Sequence, residues 1–181
     1  MHPHLLDVFS RLDRSRAALR AAVEAIAVPL RQQRPGPDQW SVAEVLEHLS
    51  IVERIFTGRI GDAIAAARAG GLAAETSDRS PLSDAIETRM ADRVNKRTAV
   101  EAARPTGTLD AAAAWEAVES GHRRLRALAE DADGLALGQV TIEHPFFGPM
   151  SAYQFVELVA AHEARHTEQI KEIGRALAGT L

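Results

Sequence analysis

Four segments whose apolar residues recur at helical spacing constrain this chain to a helical fold. In the last of these segments, the apolar stripe also includes two histidines. The stripe consists of Phe155, Leu158, Val159, His162, His166, Ile170 and Ile173. Aromatic residues make up only 4% of the chain, and alanine, leucine, arginine and glutamate are abundant, a balance that favours helices over strands. A four-helix bundle is therefore the predicted architecture.

Local signals predict where the four helices begin and end. The predicted ranges are about 4–33, 41–68, 109–132 and 151–178. The second and fourth helices start with a capping box, in which Ser41 precedes Glu44 by three residues and Ser151 precedes Gln154 by three residues. Proline and glycine in residues 34–37 are expected to stop the first helix.

The connection between the second and third helices, residues 72–107, lacks a sustained apolar pattern. Ser80 and Pro81 predict the start of a short helix that continues through Ile86 and Met90. The segment holds too few apolar residues for a second core, so it is interpreted as a long crossover within a single domain that covers residues 1–181. A connection of this length predicts that the second and third helices run parallel.

Two shorter features complete the predicted layout. Residues 139–142 are expected to form a brief extended piece, and residues 144–150 a rigid aromatic loop before the fourth helix. His2 and His4 are expected to be solvated, because chain termini are commonly frayed.

Charge and composition argue against several classes of function. The net charge of −4 and the pI near 6.0 give no electrostatic reason to expect a nucleic-acid or membrane partner. No apolar run approaches the length of a membrane span, and the N-terminus lacks a signal-peptide core. Because the chain has no cysteine, any metal must be held by nitrogen and oxygen, and a cytoplasmic location is expected.

His162 and His166 are the strongest candidates for chemistry, since residues four apart on a helix project from one face and can share a metal ion. The simplest interpretation is that both are hydrogen-bonded histidines on the bundle surface. A second is a metalloprotease, because His162 and Glu163 begin a His-Glu-x-x-His motif. However, Gln169 and Glu172 occupy the positions where an extended protease motif requires glycine and a third histidine.

A third interpretation is a di-iron carboxylate bundle. Glu119 with His122, and Glu163 with His166, form Glu-x-x-His pairs on the third and fourth helices. Such a centre also requires an inward-facing glutamate from each of the other two helices. The candidates are Glu24, Glu44 and Glu47. None of these three falls cleanly on an apolar stripe.

A fourth interpretation adds His48, at the edge of the second helix's stripe, as a third ligand. Three neutral imidazoles with open positions suit Zn²⁺, Ni²⁺ or Fe²⁺. Such an ion would be a Lewis acid able to lower the pKa of a bound water or thiol.

Two blocks of this sequence resemble the DinB/YfiT-like family. The first is WSVAEVLEHL at residues 40–49, and the second joins HPFFGP at residues 144–149 to AHEARHTEQI at residues 161–170. The helix order fits that family over nearly the whole chain, whereas the crossover does not match it in detail. The resemblance implies an all-α, DinB-like four-helix bundle.

The resemblance also implies a divalent metal ion bound by His48, His162 and His166. Some members of the family are thiol transferases that use bacillithiol, mycothiol or glutathione, and many have no assigned activity. The predicted function is therefore a metal-dependent S-transferase acting on small electrophiles, with a small-molecule thiol as cosubstrate, a homodimer as an open prediction and no catalytic residue assigned. The alternative is a non-catalytic metal-binding or structural bundle.

Polar residues near the predicted site have lesser expected roles. His122 could be a fourth ligand, although a hydrogen-bonded core histidine is the more typical interpretation. Glu163 and Arg165 are more typical of salt bridges than of acid–base groups. His144 is expected to shape the loop before the fourth helix, and Gln169 to support the histidine three residues before it.

Overall fold

The computed structural model describes residues 1–77, 84–92 and 99–179. These ranges contain five α-helices and one two-stranded hairpin. The helices are α1 (Pro3–Glu24), α2 (Val42–Ala69), α3 (Asp84–Ala91), α4 (Ala111–Asp131) and α5 (Ala152–Ala178). The strands are β1 (Thr141–His144) and β2 (Gly148–Ser151). The four long helices form the bundle and α3 lies in the crossover, which confirms the predicted all-α fold with its long second connection.

Helix α1 ends at Glu24, well before the predicted end at Gln33. Pro29 explains the difference, because it has no N–H to donate and its ring would clash with the carbonyl of Ala25 in a continuous helix. The chain instead forms a short 3₁₀ turn at Val28–Leu30. The other three long helices lie close to their predicted ranges.

Both predicted capping boxes are present. The Ser41 hydroxyl accepts a hydrogen bond from the Glu44 N–H at 3.2 Å, and the Glu44 carboxylate accepts one from the Ser41 N–H at 2.8 Å. The same pair of bonds joins Ser151 and Gln154, at 3.2 and 2.9 Å. Each box satisfies backbone donors that a helix start otherwise leaves unpaired.

Helix α4 begins with a simpler cap that allows a clean test. The exposed Asp110 side chain accepts a hydrogen bond from the Ala113 N–H at 2.8 Å. We expect Asp110→Ala to lower the free energy of unfolding by about 1 kcal/mol, while Asp110→Asn, which keeps an acceptor oxygen, changes it little. Urea denaturation measures both values. Equal losses in the two variants would contradict a capping role.

Helices α2 and α4 run parallel, as the long connection predicts. Near the middle of both helices, a Cβ atom added at Gly121 would lie 3.0 Å from the Glu53 carboxylate. At their C-terminal ends, Arg68 Nη1 donates to Asp131 Oδ2 at 2.7 Å. The middle of α2 therefore contacts the middle of α4, and the two C-terminal ends contact each other, as in parallel helices.

Helices α1 and α5 form a second parallel pair, which runs opposite to the first. Arg11 Nη1 donates to Glu157 Oε1 at 2.8 Å, and both residues lie in the first half of their helices. Toward their ends, a Cβ atom added at Gly174 would lie 3.1 Å from the Ile26 side chain. The first half of α2 consequently lies beside the second half of α5.

The buried apolar residues form two clusters, one toward each end of the bundle. The larger includes Leu5, Leu12, Ile60, Leu125 and Phe155. The smaller includes Leu19, Leu46, Val118, Ile170 and Ile173. Between the two clusters, each long helix has a buried polar residue or a glycine, so the middle of the bundle is polar; these residues are Arg16, Glu53, Gly121 and Glu163.

Strands β1 and β2 pair antiparallel, with Thr141 opposite Ser151 and His144 opposite Gly148. The predicted extended piece at 139–142 is thus displaced toward the C-terminus, and the predicted aromatic loop is largely the turn and second strand of a hairpin. Gly148 has a φ of 74°, which a residue with a side chain rarely adopts.

The N-terminus is ordered by contacts, so the prediction that His4 is solvated is wrong. His4 is only 3% exposed and its ring packs edge-on against Tyr153. The helix begins at Pro3, which places His4 on the inner face of α1. The N–H of His2 also donates to Asp133 Oδ1 at 2.7 Å.

The short crossover helix is α3, which includes Ile86 and Met90 as predicted, and both of these side chains are buried. Its predicted start at Ser80 and Pro81 lies outside the described residues. No helix in the described ranges combines the length and the hydropathy that crossing a membrane requires.

Candidate metal centre

The three predicted histidines converge in the middle of the bundle. His48 lies in the first half of α2, and His162 and His166 lie in the second half of α5. The Nε2 atom of His162 is 3.4 Å from that of His48 and 3.1 Å from that of His166. Among the described residues, these three form the only group of three or more potential ligands whose binding atoms all lie within 4.8 Å of one another. We call this group the three-histidine cluster.

Hydrogen bonds on the far side of two rings determine which nitrogen is free. His48 Nδ1 lies 2.6 Å from the carbonyl oxygen of Ala103, which can only accept, so Nδ1 carries the proton. His166 Nδ1 lies 2.7 Å from Gln169 Oε1, which assigns the same tautomer. Both rings therefore present an unprotonated Nε2 to the centre of the cluster, as a metal ligand requires.

The spacing of the ring nitrogens suits a tetrahedral ion. With metal–nitrogen bonds of about 2.0–2.1 Å, an edge of the coordination tetrahedron measures about 3.3–3.4 Å. The two Nε2 separations of 3.1 and 3.4 Å around His162 are close to that length. The three nitrogens therefore fit a small divalent ion whose fourth coordination position is not filled by the protein.

Burial favours the neutral form of two of these imidazoles, those of His162 and His48. Burial holds the pKa of His162 well below its ordinary range, and the neighbouring rings of His166 and His48 lower it further. Burial also lowers the pKa of His48, against the opposing effect of its bond to Ala103. Neutral imidazole is the form that coordinates metals, so proton competition is weak near pH 7.

One side of the cluster is closed and the other is partly accessible. His48 and His166 are buried, whereas His162 retains some exposure. The ring of Trp40 lies 5.0 Å from that of His48. Next to His162, a narrow and largely apolar space separates α2 from α5. Its lining residues are Leu49, Val52, Glu53, Phe56, Val159, His162 and Glu163.

A buried ion-pair network, here called the polar layer, lies beside the cluster and consists of Arg16, Glu53 and Glu163. Arg16 Nη2 donates to Glu53 Oε2 at 3.2 Å and to Glu163 Oε1. Glu163 also accepts a hydrogen bond from Ser15 at 2.8 Å. The two carboxylates thus share one guanidinium in the core, and Glu163 points away from the cluster.

The polar layer makes stability depend on pH. Burial is the largest cause that raises the pKa of Glu53 to about 7, although Arg16 lowers it. Because this folded-state pKa exceeds the ordinary value of 4.5, the folded protein binds more protons than the unfolded chain between these two values. Stability from this group is therefore present below the ordinary pKa and falls as pH rises toward 7.

We expect Glu53→Gln to remove this pH dependence, because glutamine occupies the same volume without titrating. The free energy of unfolding of the wild type should fall between pH 5 and pH 8 by up to about 3 kcal/mol more than that of the variant. Urea denaturation at several pH values measures the difference. Parallel pH profiles for the two proteins would show that Glu53 does not titrate in this range.

The di-iron interpretation of the histidines does not fit the geometry. A di-iron centre needs Glu163 and His166 to face one ion, but Glu163 binds Arg16 instead. Glu119 likewise faces Arg16, with 3.8 Å between Glu119 Oε1 and Arg16 Nη1, and His122 Nε2 lies 3.6 Å from Asp13. The residues of the Glu-x-x-His pairs therefore have different partners.

The metalloprotease interpretation fails for the same reason, since its general base would be Glu163. That carboxylate is 2% exposed and occupied by Arg16 and Ser15. It cannot reach a water bound at the cluster from this position.

The other neighbouring residues behave largely as predicted. Gln169 supports His166 through the hydrogen bond described above. His144 Nδ1 accepts from the Phe146 N–H at 3.2 Å and so shapes the hairpin turn. The guanidinium of Arg165 donates to the backbone carbonyls of Met90 and Asp92 at the end of α3.

Sequence reasoning missed the polar layer and the backbone partner of His48. Arg16 does carry a signal, because it falls between Leu12 and Leu19 on the apolar stripe of α1, where a charge requires a buried partner. The Ala103 carbonyl carries no such signal, because every residue has a backbone carbonyl and the residue type does not show which one accepts a hydrogen bond.

Comparison with known proteins identifies a family for this chain. A family model described as the DinB superfamily matches residues 11–170. The match includes all of α2 and α4, most of α1 and α5, and all three histidines of the cluster. Searches of the curated proteins and of the solved structures found no significant match.

Proposed function

The chain belongs to the DinB superfamily, and from this membership and its converging histidines we propose that it binds one divalent metal ion through His48, His162 and His166. The observation that supports this most directly is the convergence of three ligand nitrogens within 4.8 Å, two of them held in the ligating tautomer by hydrogen bonds. Zn²⁺, Ni²⁺ and Fe²⁺ all accept such a set of imidazoles.

We further propose that the protein transfers a small-molecule thiol to a small electrophile. The bound ion would supply a Lewis acid that lowers the pKa of the thiol. In the reaction a carbon–sulfur bond forms, the thiol proton is released to solvent, and the leaving group departs with its electron pair. Because the chain contains no cysteine, the thiol must come from a cosubstrate of the bacillithiol, mycothiol or glutathione type.

The residues around the cluster have roles that do not depend on the identity of the thiol. His48 and His166 are fixed by Ala103 and Gln169, so their Nε2 atoms need no reorientation on binding. The partial exposure of His162 marks the side from which a cosubstrate would approach.

A panel of thiols tests the transfer reaction. Protein purified without an affinity tag is loaded with Zn²⁺ or Ni²⁺ and incubated with each thiol and monochlorobimane. We expect metal-dependent consumption of at least one thiol above the rate with metal-free protein. Metal binding without any such consumption would support the alternative, a non-catalytic metal-binding bundle.

We also propose a cellular location and an assembly state for the protein. A cytoplasmic location agrees with the absence of cysteine, since proteins of oxidising compartments often use disulfides. A homodimer is a prediction that light scattering would test. The acidic net charge favours small-molecule partners over nucleic acids or anionic membranes.

A further inference from the structure

The end of the crossover, residues 103–107, is bound by one buried carboxylate, that of Glu47. Its Oε1 atom accepts hydrogen bonds from the Thr106 N–H at 3.0 Å and from the Thr106 hydroxyl at 2.5 Å. Its Oε2 atom accepts one from the Gly107 N–H at 2.9 Å. The Glu47 carboxylate is only 4% exposed, whereas Thr106 and Gly107 lie at the surface and donate charge-assisted hydrogen bonds inward to it. We call residues 103–107 the 103–107 turn.

The same turn carries the backbone partner of a cluster histidine. Ala103, at the end of a short 3₁₀ turn over Glu101–Ala103, places its carbonyl oxygen 2.6 Å from His48 Nδ1. Ala103 is 5% exposed. Glu47 and His48 are consecutive on α2, so two adjacent side chains form hydrogen bonds with opposite ends of the 103–107 turn.

The geometry of the turn depends on the carboxylate. Gly107 has a φ of 72°, a left-handed conformation that lets the consecutive N–H groups of Thr106 and Gly107 point at one carboxylate. Without that acceptor, these two surface N–H groups lose their protein partner and are left to solvent. We expect this loss to shift the chain that carries the Ala103 carbonyl.

We propose that Glu47 is a positioning residue of the metal centre, acting through the 103–107 turn and the Ala103 carbonyl to orient His48. This inference rests on the proposed metal site. Glu47 does not touch the ion. It holds the acceptor that keeps the proton of His48 on Nδ1 and aims Nε2 at the other two imidazoles.

The first test is the affinity for Zn²⁺, measured by competition with a chromophoric chelator at pH 7. We expect Glu47→Ala to raise the Kd by about 10- to 100-fold, the usual effect of losing an outer partner of a ligand histidine. Glu47→Gln keeps one acceptor oxygen but turns an NH₂ group toward a backbone donor, so its loss should be intermediate.

Glu44→Gln is the matched control. Glu44 is a buried glutamate one turn earlier on α2, and its carboxylate binds Arg34 and the Ser41 N–H and makes no hydrogen bond to the 103–107 turn. It should lower stability without changing the Kd for Zn²⁺. An equal rise in Kd for Glu44→Gln and Glu47→Gln would assign the effect to general destabilisation and overturn the proposal.

A second measurement does not need metal. In the metal-free protein, NMR should show a slowly exchanging imidazole N–H proton from His48, because that proton is bonded to a buried carbonyl. We expect this signal to be lost in Glu47→Ala, weakened in Glu47→Gln and retained in Glu44→Gln. Its persistence in both Glu47 variants would overturn the positioning role.

The two measurements separate the two claims. If the wild type bound no Zn²⁺ while the N–H signal still depended on Glu47, the metal site would be wrong and the control of His48 by Glu47 would stand as a structural role only. If the wild type bound Zn²⁺ and neither the Kd nor the signal changed in the Glu47 variants, the metal site would stand and Glu47 would have no part in it.

Discussion

The His48→Ala variant should hold no metal after purification, while the wild type holds about one equivalent. This substitution removes the only ligand that α2 contributes to the cluster, and the two remaining histidines lie on a single turn of α5. Because removing even an outer partner of a ligand costs 10- to 100-fold in affinity, we expect the loss of a ligand to exceed 100-fold. Elemental analysis and Zn²⁺ titration of untagged protein measure the effect.

His122→Ala is the control for that variant. His122 is a half-buried histidine on α4 whose Nε2 lies 3.6 Å from Asp13 Oδ1, and its nitrogens do not join the cluster. It should bind Zn²⁺ as tightly as the wild type. Metal at one equivalent in His48→Ala, with unchanged affinity, would refute the three-histidine site.

Thermal denaturation gives an independent measure. An ion that binds only the folded state stabilises it by an amount that grows with its concentration. Zn²⁺ should therefore raise the Tm of the wild type and of His122→Ala but not that of His48→Ala. A metal-dependent shift of equal size in all three proteins would mean that the ion binds elsewhere.

Helix positions were predictable because the relevant signals are local. A serine followed three residues later by Glu or Gln marks the starts of α2 and α5, and both boxes form as expected. Helix α1 ends earlier than predicted because Pro29 interrupts it, whereas the prediction extends the helix to the proline and glycine of residues 34–37. The hairpin partner strand was missed because it contains Gly148 and Pro149, which seldom occur together within a strand.

The three histidines could be proposed from spacing and family resemblance, whereas their environment could not. The four-residue spacing alone places His162 and His166 on one helix face, whereas His48 as a third ligand is one of four open interpretations, which the resemblance favours. The partners that orient these rings include the carbonyl of Ala103, which lies 55 positions from His48 in the chain. A backbone group at such separation becomes visible only in three dimensions.

The polar layer contains buried charges that the sequence does not reveal. Glu163 was expected to form a salt bridge, and it does, but the bridge lies in the core and also includes Glu53 on a third helix. Gly121 on α4 leaves the space that the Glu53 side chain occupies. No pairwise spacing rule connects these positions, because they lie on all four long helices.

Replacing Arg16 by methionine should destabilise the protein more than any surface substitution. Methionine fills a similar volume without charge, so the variant leaves Glu53 and Glu163 buried without their shared counter-ion. Breaking a buried ion pair by removing one partner costs about 3–5 kcal/mol. Urea denaturation at pH 7 measures this loss, and Arg20→Met, at an exposed position on the same helix, should change stability by no more than about 0.5 kcal/mol.

The pH dependence of that loss identifies its cause. Without Arg16, the carboxyl groups of Glu53 and Glu163 lose the charge that lowers their pKa values, so both should stay protonated to higher pH. Protonation makes them neutral, so the variant should lose less stability at pH 5 than at pH 8. A triple variant that combines Arg16→Met with Glu53→Gln and Glu163→Gln removes the stranded charges and should recover much of the loss at pH 8. A loss of equal size at both pH values, with no recovery in the triple variant, would mean that Arg16 contributes through packing and not through its charge.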